Sequence, residues 1–86
     1  MPTHSNKTDV TTSASPLNSG ASIPLASLLL EADSANTANI LWGDANLQNM
    51  KLIPGQLQPI PADYMEEVYV KSVAGTQVLH IAYVTA

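Results

Sequence analysis

Glu67-Val68-Tyr69-Val70-Lys71-Ser72-Val73-Ala74-Gly75-Thr76-Gln77-Val78-Leu79-His80-Ile81-Ala82-Tyr83-Val84-Thr85 is the stretch whose pattern decides the fold. Over residues 67–73, Val68 and Val70 face one way while Tyr69, Lys71 and Val73 face the other. Ala74-Gly75 supplies a hairpin link. Over residues 76–85, Leu79, Ile81 and Tyr83 make one face and Val78, His80, Ala82 and Val84 the opposite one. Alternation of period 2 with β-branched residues specifies strands, because successive side chains on an extended chain point to opposite sides. The last strand carries apolar side chains on both faces, whereas a strand with one face in water should be polar on that face. Either it is the central strand of a sandwich covered by its own chain, or a second subunit covers it.

Moving toward the N-terminus, the same punctuation continues. Residues 25–31 read as a strand with Leu28 and Leu30 on one face and Leu29 on the other, closed by the turn residues Asp33-Ser34-Ala35-Asn36. Residues 39–42 read as a second strand, with Ile40 and Trp42 on one side, ended by Gly43-Asp44-Ala45-Asn46. Lys51-Leu52-Ile53 leads into Pro54-Gly55, a type II turn in which proline presets the first central position and glycine supplies the positive φ of the second. Residues 56–60 form a further short strand, and residues 62–67 have room for one helical turn. The expected fold is all-β: a small antiparallel β-sandwich or barrel of six or seven strands.

Composition changes near residue 22. Eleven of residues 1–22 are Ser, Thr or Asn, and the apolar ones have no regular spacing. Such a segment buries too little to offset its ordering entropy. The expected organisation is therefore an extended N-terminal arm over residues 1–22, followed by a β-sandwich domain over residues 23–86. An arm that orders only on a neighbour suits an assembly protein, and Val10, Leu17 and Ile23 are its candidate partner-binding residues.

The whole chain has 86 residues, with 7 acidic side chains against 3 lysines and a formal charge of −4. A nucleic-acid binder needs a basic patch to displace counterions from phosphate, so that class is excluded. The longest apolar run, Leu28-Leu29-Leu30, is far short of the ~20 residues of a membrane helix. Met1-Pro2-Thr3-His4 does not read as a secretory leader. No cysteine is present, which removes disulfides, thiolate metal sites and cysteine nucleophiles. A domain this small buries only about 60% of its unfolded surface, and oligomerisation is the common remedy when disulfides and metals are missing.

Catalytic chemistry finds little footing. His4 lies in the arm. His80 has no histidine or carboxylate two residues away on its strand, so a hydrogen-bonded strand histidine is the simpler reading than a ligand or base. Asp33, Asp44 and Asp63 sit beside turn formers, where they can accept backbone N–H bonds. Glu66 and Glu67 are adjacent, so on a strand they would point to opposite faces and could not flank one substrate bond. Neither a nucleophile elbow nor a phosphate loop is present. No catalytic residue, cofactor or metal ligand is expected, and the chain does not read as an enzyme. Trp42 and Tyr83 read as core fillers. Tyr64, Tyr69, Lys71 and His80 are the candidates for an oligomer interface.

In order and spacing, Leu28-Leu29-Leu30, Ile40-Leu41-Trp42-Gly43-Asp44, Lys51-Leu52-Ile53-Pro54-Gly55, Glu67-Val68-Tyr69-Val70, Ala74-Gly75 and the alternating run from Val78 to Val84 resemble a small β-sandwich module of tailed-bacteriophage virion proteins. The resemblance implies a structural role: a capsid decoration (cement) protein on the virion exterior, bound to the major capsid protein, with a homotrimer favoured. It brings no catalytic residues. Alternatives are a neck, tail or head-fibre-base component, or a carbohydrate-binding module in which Trp42 or a tyrosine stacks on a sugar.

Overall fold

The computed structural model describes residues 3–86; Met1 and Pro2, which open the stretch read for a leader and for the arm, lie outside the described residues. Eight strands are formed among the described residues: β1 (Thr3–Val10), β2 (Ser15–Pro16), β3 (Leu25–Ala32), β4 (Ile40–Gly43), β5 (Gln48–Leu52), β6 (Leu57–Pro59), β7 (Tyr69–Ser72) and β8 (Gln77–Thr85). A 3-10 turn, Met65–Glu67, precedes β7. The strands make two antiparallel four-stranded sheets, ordered β1-β8-β3-β6 (sheet A) and β2-β7-β4-β5 (sheet B). They do not close into a barrel, so the architecture is an open sandwich.

Six of these strands fall within residues 23–86, close to where alternation places them. The other two come from residues 1–22, and this corrects the expected arm. β1 pairs with β8 over its whole length, from Thr3 opposite Val84 to Val10 opposite Gln77. Val10 is 1% exposed and belongs to the core, so it is not available to a partner. Leu17 and Ile23 pack against the same core. Leu17 N–H donates to Val68 O, and Met65 N–H donates to Ile23 O. The physical reason is that an edge strand is held by backbone bonds to its neighbour and needs few apolar side chains of its own. The radius of gyration is 11.8 Å, against about 12 Å for a compact chain of this length, so residues 3–22 are packed with the rest of the described molecule.

The core lies between the sheets. Sheet A contributes Val10, Leu28, Leu30, Ala32, Leu79 and Ile81; sheet B and its approach contribute Ile40, Leu52, Val68 and Val70. A bulge between Leu25 and Ser27 shifts the parity of β3, so that Leu25 as well as Leu28 turns inward. Gly55 has φ 85° and Gln56 N–H donates to Ile53 O, the turn that Pro54-Gly55 specifies. Trp42 and Tyr83 pack against the core, and His4 stacks on Tyr83 with ring centroids 4.8 Å apart.

β8 is central in sheet A, flanked by β1 and β3. On its inner face Gln77, Leu79 and Ile81 are buried and Tyr83 half-buried, while Val78, His80, Ala82 and Val84 on the outer face are all half-buried. No layer of the described chain lies over them.

The placement of Val10 is open to a direct check. Val10→Ala should lower the unfolding free energy in urea by about 1.5–3 kcal/mol, the value of a fully buried valine. Exposed Thr12→Ala should stay within about 0.5 kcal/mol of the parent. Equal effects would return the first ten residues to a loose arm.

Candidate interaction surfaces

The outer face of sheet A is built from strand register. Lys7, His80, Glu31 and Leu57 lie in one row across β1, β8, β3 and β6, and Ser5, Ala82, Leu29 and Pro59 lie in the next. Ala82 is small, so the sheet dips there. The result is a shallow depression of about 430 Å³, floored by Ala82 and Leu29 and bordered by Lys7, Glu31, Leu57 and His80. Leu57 is 55% exposed on its border.

One end of this face is fixed by the turn after β3. His80 Nε2 lies 2.9 Å from Asp33 Oδ1, and Asp33 Oδ2 accepts the Ala35 N–H. The His80 bond, then the Ala35 N–H, holds the Asp33 carboxyl below the usual carboxylate range. Asn36 completes the lock: its amide donates to Val78 O and accepts from Val78 N–H, imitating a strand neighbour. Gln77, 4% exposed, takes the Thr37 N–H and donates to Ala74 O. His80 is therefore the hydrogen-bonded strand histidine its surroundings suggest. Asn36 and Gln77, whose partners are 40 or more residues away in three of these bonds, carry no signal in sequence.

Sheet B presents a different outer face. Lys51, Leu41 and Lys71 lie in one row across β5, β4 and β7, which gathers two of the three lysines of an acidic chain. Tyr69 lies between Pro16 and Gly43 in the adjoining row. Tyr64 stands apart at an isolated bridge to Pro24, 44% exposed. The four interface candidates thus do not form one surface. Tyr69 and Lys71 face out from sheet B and His80 from sheet A, on opposite sides of the sandwich.

A third feature opens between the sheets where β5 and β6 are edges. Trp42 lines a cleft of about 350 Å³ with Asp44, Leu47, Asn49, Ile60 and Glu67 among its walls. Leu47 and the nearby β5 residue Met50 are 59% and 49% exposed. Gly43 and Asp44 shape its rim. A Cβ on Gly43 would stand 2.1 Å from Leu47 O. Asp44 Oδ1 accepts the N–H groups of Asn46 and Leu47, each at 2.9 Å. The Gly-Asp pair is a hairpin-closing device, glycine for clearance and aspartate for the loop's donors.

The acidic pair is structural as well. It sits in the 3-10 turn rather than on a strand. Glu66 accepts from the Ser22 hydroxyl and the Ile23 N–H, while Glu67 accepts the Tyr64 N–H. The Ser22 bond, then the Ile23 N–H, lowers the Glu66 pKa. Among the turn aspartates, Asp33 and Asp44 bond backbone N–H groups through their side chains; Asp63 contributes its carbonyl, which accepts the Leu25 N–H. Among the described residues, no group of three or more His, Asp or Glu side chains stands close enough to hold a metal ion. Compared with models of known families, with curated proteins and with solved structures, the chain matches none.

Two outcomes follow from these contacts. Gly43→Ala should destabilise the fold by about 3 kcal/mol or more, because the clash is with backbone that cannot swing aside; urea unfolding measures it. Asp33 and Glu66 both hold their charge more tightly in the folded state than in the unfolded one. Their stabilisation is present above the unfolded carboxylate pKa of about 4 and is lost as pH falls through the lower folded values. Denaturation series at pH 7 and pH 3 should show a smaller acid loss for Asp33→Asn/Glu66→Gln than for the parent.

Proposed function

We propose that the chain is a structural protein of a tailed-bacteriophage virion, a decoration protein that docks on the outside of the capsid shell with the major capsid protein as its partner. The observation that carries this reading is the outer face of sheet A. It is a broad sheet surface, apolar around Leu29, Leu57, Ala82 and Val84, that the described residues leave uncovered. The motif order that resembles the virion module supports it in part: Gly43-Asp44 closes the β4–β5 hairpin, whereas Pro54-Gly55 and Ala74-Gly75 cross from sheet B to sheet A, so Ala74-Gly75 is a crossover and not the hairpin link its sequence suggests.

The mechanism is linkage. A protein that binds the assembled shell, and not its separated subunits, stabilises the shell by mass action. Docking runs through the sheet surface and not through a clamping arm, because Val10 is committed to the core. The net negative charge keeps unbound copies soluble and away from DNA.

Quantitative mass spectrometry of purified particles of the virus that encodes the chain tests the reading. The chain should be present in a copy number comparable to that of the capsid subunit. Leu29→Asp with Leu57→Asp should empty the capsid sites and lower the temperature of genome release, with the fold intact by circular dichroism. A copy number like that of a neck or tail ring would move the protein to those structures, and absence from the particle would end the virion reading. The Trp42 cleft, an aromatic ring among Asp44, Asn49 and Glu67, favours glycan binding as the second reading. Tryptophan fluorescence titrated with host surface glycans separates the two.

A further inference from the structure

An unpaired strand edge is a template for another strand, and proteins usually blunt it. Three of the four edges here are blunted. β2 is two residues long and ends at Pro16. β6 is three residues long and ends at Pro59, with Pro54 and Pro61 close by. β5 carries Lys51 and faces a register shift at Trp42 and Gly43. β1 has none of these features except a central lysine. It is eight residues long, contains no proline, follows β8 without a register shift, and is mostly exposed.

The hydrogen-bond phase of β1 is also fixed. The Lys7 N–H is turned away from β8 and is taken by Asn6 Oδ1 at 2.8 Å. Bonding direction alternates along an antiparallel strand, so Ser5, Lys7 and Asp9 present their backbone groups to the open edge. Lys7 and Asp9 also share the outer face, two residues apart. Among the described residues neither belongs to an ion pair.

We propose that β1 pairs antiparallel with β1 of a second copy of this chain, with Thr8 opposite Thr8, joining the two copies of sheet A into one continuous sheet across a two-fold axis. In this register Lys7 of each copy stands opposite Asp9 of the other, on the same face. Both residues present outward backbone groups, so each such pair exchanges two backbone bonds and adds an ion pair. Centring the pairing on Lys7 would set lysine against lysine. Centring it on Asn6 would set Lys7 against Ser5 and Asp9 against Thr3, leaving both charges unmatched. The pairing stops at Val10, because the Thr11 carbonyl is already taken by the Ser72 N–H at 2.7 Å. Asn6 releases the Lys7 N–H to the Asp9 carbonyl of the second copy. The assembly is a dimer in place of the trimer expected from sequence, and it stands independently of the virion reading.

Sedimentation equilibrium over a concentration series tests this on the purified chain. The parent should dimerise. Lys7→Asp and Asp9→Lys should each weaken the dimer by about tenfold or more, because like charges then face each other on both sides of the axis. The combined Lys7→Asp/Asp9→Lys variant should recover the parent's affinity. Lys7→Pro should abolish dimerisation while keeping the unfolding midpoint that the parent shows when dilute enough to be monomeric, since β8 does not use that N–H. A parent that stays monomeric to its solubility limit, or that forms trimers, overturns the proposal. So do single charge reversals that dimerise like the parent. If Lys7→Pro fails to fold, the charge-reversal series decides alone.

Discussion

The rest of the structure depends on β8 being paired along both sides. β1 lies against it from Gln77 to Val84 and β3 from Leu79 to Thr85, and its inner face supplies Leu79 and Ile81 to the core. The loops at its start are tied to the same strand through Asn36, Gln77 and the His80–Asp33 bond. A chain this short has little apolar area to spare, so a strand that satisfies its backbone on both edges, while packing on one face, organises more structure per residue than any other element.

That arrangement explains what could be read from sequence. Alternation at Val68 and Val70, and at Leu79, Ile81 and Tyr83, reports burial on one face, and burial is what side-chain pattern encodes. The Pro54-Gly55 turn is legible because proline and glycine each meet a dihedral requirement. β1 was not legible. Thr3, Ser5, Asn6 and Thr8 are polar because their strand is an exposed edge held by backbone bonds, and main-chain pairing leaves no mark on composition. The single apolar anchor, Val10, cannot be told from a chance valine without knowing that the chain there crosses from sheet A toward Ser72.

The interface candidates divide in the same way. Tyr69, Lys71 and His80 are outward-facing, as their alternation implies. Which side of the molecule they occupy depends on sheet membership, and membership is set by pairings between residues far apart in the chain. The depression over Ala82 is likewise invisible in sequence, because it arises from Leu29, Lys7 and Leu57 meeting across three different strand junctions. The Trp42 cleft is partly foreshadowed by the residue itself, but its walls come from Ile60 and Glu67 beyond two intervening turns.

The pairing of Thr3 with Val84 has a mechanical consequence. The start of β1 and the end of β8 emerge side by side at the same pole, so tension applied between them loads the ladder one rung at a time, starting at that pole. β1 therefore peels from β8 under such a pull instead of resisting as a sheared patch would. An attachment that must withstand stretching has to grip the broad faces and leave the two ends unloaded.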